Sequence, residues 1–125
     1  MPTNKKLLAD EEAAVKTSVF LLDRAQRNVV DLAIREVCEY RGYSLLAVSV
    51  RTNHVHSVVS ALCKPEPVMD SFKAYATRKL REANLLGQGV RLWARHGSTR
   101  WLWTEEQVER AIDYVSNGQG DEPFS

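Results

Sequence analysis

Residues 44–61 read SLLAVSVRTNHVHSVVSA, two apolar, β-branched-rich runs separated by the polar triplet Arg51–Asn53. Runs of strand length this close in sequence form an antiparallel hairpin, pairing Ser44–Val50 with His54–Ala61. Side chains along a strand alternate faces. His54 and His56 therefore share a face with Val58 and Ser60, and Val55, Val59 and Ala61 share the other with Ser57. The second face is core. The first opens with two imidazoles at a strand end, where a site can be exposed.

Upstream, Asp23 is placed to cap a helix through RAQRNVVDLAIREVCEYR. Its Val30, Ala33, Ile34, Val37 and Cys38 follow helical spacing, and Gly42 stands where it should stop. Downstream, Pro65 and Pro67 end the strand, and a helix over roughly Val68–Leu86 carries the stripe Met69, Phe72, Ala76, Leu80 and Ala83 up to Gly87. A short aromatic strand is expected around Arg100–Trp103. Thr104 with Gln107 makes a capping box for a last helix, which ends near Asn117 and Gly118 and buries Val108, Ala111, Ile112 and Val115. The order describes an α+β domain, an antiparallel sheet flanked by helices. The stretch VKTSVFLL, residues 15–22, is the candidate for a first strand, and the organisation reads as an N-terminal segment 1–22, a domain 23–120 and a tail 121–125.

The chain has 125 residues, 44% hydrophobic and 26% charged, with no repeat and no low-complexity tract. No apolar run reaches the roughly 20 residues of a membrane span, and the charged N-terminus lacks the apolar centre of a secretory signal. Two cysteines without metal spacing suit a reducing, cytoplasmic setting. The formal charge of +1 conceals an asymmetry. Ser71–Trp103 holds seven Lys/Arg against Glu82 alone, whereas the segment from Thr104 onward holds six acids against Arg110. A basic segment beside an acidic tail suits a polyanionic partner, although a solvated helix face explains such a run equally well.

Two imidazoles on one strand face suit a metal ion bound at about 2.0–2.1 Å, and equally a plain solvated sheet. Two ligands leave a coordination sphere to be completed by another polar group, water or substrate. His96, the third histidine, sits in a loop and is a weak third ligand. In VERAIDYVSNGQG, Tyr114 lies at the edge of the apolar stripe, with Asn117 on the same edge and Gln119 beyond the helix end. A phenol is a poor nucleophile at its free pKa of about 10, and a metal that polarises a bound phosphate would let it attack. A packing tyrosine with a hydrogen-bonded hydroxyl is the plainer reading. Tyr75, beside the stripe residues Phe72 and Ala76, is a lesser candidate nucleophile.

Together, NHVH opening a strand, a basic helix, the RLW segment and a last helix carrying AIDYVSNGQG resemble the single-tyrosine HUH transposases over about Arg24–Gly120. That group includes the insertion-sequence 200/605-type and REP-associated tyrosine transposases. The resemblance implies a ferredoxin-like HUH palm and a nuclease that cuts and rejoins single-stranded, hairpin-flanked DNA. It makes His54 and His56 ligands of Mg²⁺ or Mn²⁺, with Asn117 or Gln119 completing the set, and Tyr114 the nucleophile that forms a 5′-phosphotyrosine link. Lys73, Arg78, Lys79, Arg81, Arg95 and Arg100 become DNA-binding residues, and Trp93, Trp101 or Trp103 stack on bases or pack in the core. The implied setting is the cytoplasm, on nucleoid DNA, and the implied assembly a homodimer. The alternative on the same fold is a catalytically inactive or domesticated DNA-binding protein. Histidine-triad nucleotide hydrolases need a third histidine where Val58 stands, and rolling-circle initiators and relaxases share the chemistry on larger chains.

Overall fold

The computed structural model describes residues 5–11, 21–93 and 98–118. In chain order these form β1 (Lys5–Glu11), α1 (Arg24–Arg41), β2 (Ser44–Val50), β3 (Val55–Ala61), α2 (Pro65–Glu82), β4 (Ser98–Leu102) and α3 (Glu105–Asp113), with a π-helical turn over Tyr114–Gly118. The sheet runs β2-β3-β1-β4 with every neighbouring pair antiparallel, the βαββαβ arrangement of a ferredoxin-like domain.

The hairpin forms as its sequence dictates. Its turn is closed by Arg51 N–H donating to the His54 carbonyl (2.8 Å), and Leu22 N–H donates to the Thr52 carbonyl (2.7 Å), tying the turn to the entry of α1. All seven residues of β3 are buried, because β3 lies inside the sheet with a layer on each face. Val55, Val59 and Ala61 join one core with α1 and α2, through Val30, Ile34, Val68, Phe72 and Leu80. Val58 joins a second, smaller core with Leu102, Val108, Ala111 and Val115. The period-2 division of β3 is therefore the division between the two cores.

β2 breaks that parity once. Leu45 pairs with Val59 and Ala47 with Val58, so Leu46 is an extra residue, a β-bulge. The bulge lets Leu45, Val48 and Val50 face the α1/α2 core while Ala47 faces α3.

Both capping boxes are present. Asp23 and Gln26 exchange bonds at 2.8 Å, and Thr104 and Gln107 do the same at 3.1 and 3.2 Å. Gly42 closes α1 at φ 77, the left-handed conformation that glycine adopts without a Cβ penalty.

Two expectations need correction, and a third lies mostly outside the described residues. The sheet holds a strand at Lys5–Glu11; of the candidate first strand 15–22, residues 15–20 lie outside the described residues, and Leu21 and Leu22 belong to no strand. KKLLADE has a poor strand composition, and its pairing on both sides outweighs intrinsic preference. α2 spans Pro65–Glu82 rather than Val68–Leu86. Proline lacks only an N–H that the first turn leaves unused, so the helix starts at Pro65, and it stops before Gly87 where Asn84 turns to φ 61. The last α-helical residue is Asp113, after which the winding widens into the π-turn.

Leu80 is fully buried between α2 and the larger core. Leu80→Ala is expected to cost about 2–5 kcal/mol of stability, read as a lower urea midpoint with an unchanged slope.

Candidate active site

The site is built on the α3 side of the sheet. His54 ends the hairpin turn and His56 follows as the second residue of β3, opposite Asp10 of β1 and Ser49 of β2 in register. The imidazoles meet edge to face, with centroids 4.5 Å apart and planes at 83°. Neither is at the surface. His54 is 1% and His56 3% exposed, against the expectation of an exposed strand end, because α3 and the π-turn cover this face. His54 Nδ1 lies 2.5 Å from the amide oxygen of Asn53.

Tyr114 is the first residue of the π-turn. Its backbone N–H donates to the carbonyls of Ala111 and Arg110, and the adjacent Val115 is buried in the smaller core. That anchor holds the Tyr114 ring edge to face with His56, centroids 5.8 Å apart and planes at 90°. The ring keeps one side in solvent, 38% exposed. The fold thus joins His54, His56 and Tyr114 on one face, two buried imidazoles beside a phenol that substrate can reach.

Burial, then the neighbouring His54 and Arg51, pushes the His56 imidazole down from 6.5 to about 4. At neutral pH it is uncharged and keeps a lone pair, the form in which histidine binds a metal. Two imidazoles this close, His56 among them uncharged at neutral pH, fit a divalent ion as a partial donor set. Among the residues whose side chains are described, no group of three His, Cys, Asp or Glu converges. The rest of the sphere then falls to neutral oxygen donors, water or a substrate phosphate. Asn117 is exposed, and its amide donates to the Asp113 carboxylate one turn back (3.1 Å). Gln119, Arg95 and His96 lie outside the described residues, as does the side chain of Arg100.

The depressed His56 value has a consequence for stability. Above pH 6.5 folded and unfolded chains both hold it neutral; between 6.5 and about 4 only the unfolded chain takes up the proton. Metal-free protein should hold this contribution fully above pH 6.5 and lose it progressively down to about pH 4, by the order of 2–3 kcal/mol. Urea midpoints at pH 7 and 4.5 check this, since the decline should be shallower in His56→Gln.

The basic residues of α2 lie in the other layer. Lys73, Arg78 and Arg81 line a surface groove of about 600 Å³ with Thr77, Gln88 and Trp93. Trp93 Nε1 donates to Thr77 Oγ1 (2.8 Å) and the Lys73 carbonyl (3.2 Å), which fixes the indole as a wall. Lys79 sits between Glu36 (3.9 Å) and Glu82 (3.7 Å). Tyr75 donates to Glu36 (3.3 Å), with Arg78 over its ring at 4.7 Å. It belongs to the helical layer, across the sheet from the histidines. Trp101 and Trp103 stack at 5.5 Å, and Trp103 is 68% exposed. The Asn53 contact and the bulge at Leu46 went unread in the sequence; an asparagine directly before the histidine pair was the available signal for the first.

The family model for IS200-like transposases matches residues 13–116, from before α1 through Tyr114. The chain is a member of the IS200-like transposase family. Its fold is similar to a REP-associated tyrosine transposase solved bound to a REP hairpin, at 14% identity and TM-score 0.70, covering 97% of this chain and 70% of that one. It is also similar to a Deinococcus radiodurans R1 protein designated a transposase, at 17% identity and TM-score 0.66, covering 94% and 92%. No curated protein matches the sequence. As a family of DNA transposases, its members point to DNA strand cutting and transfer as the activity class. Among the described residues, no helix of this transposase is long and apolar enough to cross a membrane.

Proposed function

We propose that this transposase family member cuts and rejoins single-stranded DNA beside a hairpin, with Tyr114 as the nucleophile and His54 and His56 as ligands of Mg²⁺ or Mn²⁺. The observation that carries the reading is the ring contact between His56 and Tyr114, which joins a hairpin and a C-terminal helix turn at one half-exposed phenol. The ion, when bound, supplies charge stabilisation at the scissile phosphate.

The chain's own residues do the rest. His54 and His56 hold their ring nitrogens buried beneath the π-turn, which sets the phenol beside them. Tyr114 Oη attacks phosphorus, and the bond to the 3′ oxygen breaks. The DNA is left with a 5′-phosphotyrosine and a free 3′-hydroxyl, which takes up a proton as the phenol gives one up. Attack by another 3′-hydroxyl reverses the step and joins the strands, so no external energy source is needed. Asn117, with the α3 terminus shifted, or Gln119 supplies a further ligand.

The DNA hairpin is the proposed partner, as it is in the solved REP-associated relative. Lys73, Arg78, Lys79 and Arg81, with Arg95 and Arg100, track its phosphates, and exposed Trp103 offers a base-stacking surface. The contact between Tyr114 and His56 within one chain favours action in cis, in a homodimer working on nucleoid DNA in the cytoplasm. Labelled single-stranded hairpin oligonucleotides from the genomic flanks, incubated with Mn²⁺ and run on a denaturing gel, test the reading. A covalent protein–DNA band is expected. A salt-sensitive gel shift without that band favours the DNA-binding remnant instead.

A further inference from the structure

The hairpin turn holds a polar contact that the proposed cleavage does not use, between Asn53 and His54. With the amide oxygen of Asn53, which only accepts hydrogen bonds, placed 2.5 Å from His54 Nδ1, the contact is a hydrogen bond when that nitrogen carries the hydrogen. A neutral imidazole has one such hydrogen. With Nδ1 protonated, the lone pair is left on Nε2, on the far side of the ring. The contact thus selects one of two tautomers.

The turn is well suited to hold that selection. Asn53 lies between two backbone clamps, Arg51 N–H to His54 C=O and Leu22 N–H to Thr52 C=O, which fix the chain on both sides of it. The His54 ring is 1% exposed and packs edge to face on His56, so water does not compete freely for either nitrogen. The histidine nearest the turn therefore has its ring orientation set by the preceding residue, before any ligand arrives.

We propose that Asn53 is a positioning residue, which holds His54 as the Nδ1–H tautomer and so presents the Nε2 lone pair to a divalent cation. The inference rests on the metal reading above for its purpose, and on the Asn53 contact for its content. A partner on the second ring nitrogen fixes ring orientation and raises ligand basicity, and losing such a partner typically weakens metal binding about 10–100-fold. Asn53→Asp keeps an acceptor at this position, and Asn53→Ala removes it.

The test has two arms on the full chain. Nitrogen-15 spectra of histidine-labelled, metal-free protein read the tautomer, and titration with Mn²⁺ alone reads affinity. The expected results are an Nδ1–H signature for His54, Mn²⁺ binding weakened about 10–100-fold in Asn53→Ala, and recovery to within several-fold in Asn53→Asp. An Nε2–H signature in the wild type overturns the proposal, since the amide would then be turned the other way. So does Mn²⁺ binding in Asn53→Ala equal to the wild type. A wild type that binds no Mn²⁺ overturns the metal half of both readings, while the spectrum still decides the tautomer.

Discussion

Tyr114→Phe abolishes the covalent protein–DNA band, with residual cleavage reduced by at least about 10³-fold, and leaves hairpin binding and the Mn²⁺ affinity within about twofold of wild type. The substitution removes one oxygen and keeps the ring. The edge-to-face contact with His56 therefore survives, and so does the Val115 anchor that sets the π-turn. Because Tyr114 is 38% exposed, losing its hydroxyl leaves little buried polar surface uncompensated. Urea midpoints of the two proteins should agree within about 0.5 kcal/mol. A band that persists in the variant would move the nucleophile elsewhere. Tyr75 would need to leave its contact with Glu36 and cross the sheet to serve, so a Tyr75→Phe control is expected to keep the band.

His56→Ala gives the second large effect, and its signature differs. It should lose the covalent band as completely as Tyr114→Phe but also weaken Mn²⁺ binding by at least about tenfold, because one of two imidazole donors is gone. Truncating a ring that is 3% exposed also leaves a cavity between the sheet and the π-turn, so some loss of stability accompanies the loss of chemistry. His56→Gln, closer in volume, separates these effects: it should recover most of the stability and little of the metal affinity. Mn²⁺ bound equally by His56→Ala and wild type would remove His56 from the ligand set.

The hairpin was legible because its signal is local. Apolar runs, a three-residue turn and strict alternation through β3 specify the pairing and assign Val55, Val59 and Ala61 to one core and Val58 to the other. The helix starts at Asp23 and Thr104 were legible for the same reason, since a capping box is written within four residues. The alliance of the histidines with Tyr114 needed the whole motif order, and the structure brings the three rings together. What failed was non-local. Lys5–Glu11 becomes a strand through its two neighbours in the sheet, which its own composition does not announce. The burial of both histidines depends on α3 folding back over the hairpin, and the bulge at Leu46 depends on two cores claiming alternate residues of one strand. The layer that the α2 cations occupy is non-local too: Lys79 sits between Glu36 and Glu82, and the groove residues lie in the layer opposite Tyr114, neither of which a run of basic residues announces.

The place of β1 in the sheet bears on how the molecule assembles in time. The strand that comes first in the chain sits between β3 and β4, and its partners are Val55–Ala61 and Ser98–Leu102. The β2-β3 hairpin with α1 and α2 closes through contacts near in sequence and forms early. β4 has β1 as its hydrogen-bonded neighbour in the sheet, so the sheet is complete only once β1 lies between β3 and β4. Closing such long loops is entropically slow, so refolding should show a fast hairpin-and-helix phase followed by a slower one that completes the sheet. Until that second phase ends, the edge of β3 beside His56 stays open to pairing with another chain, and dilution should favour correct folding.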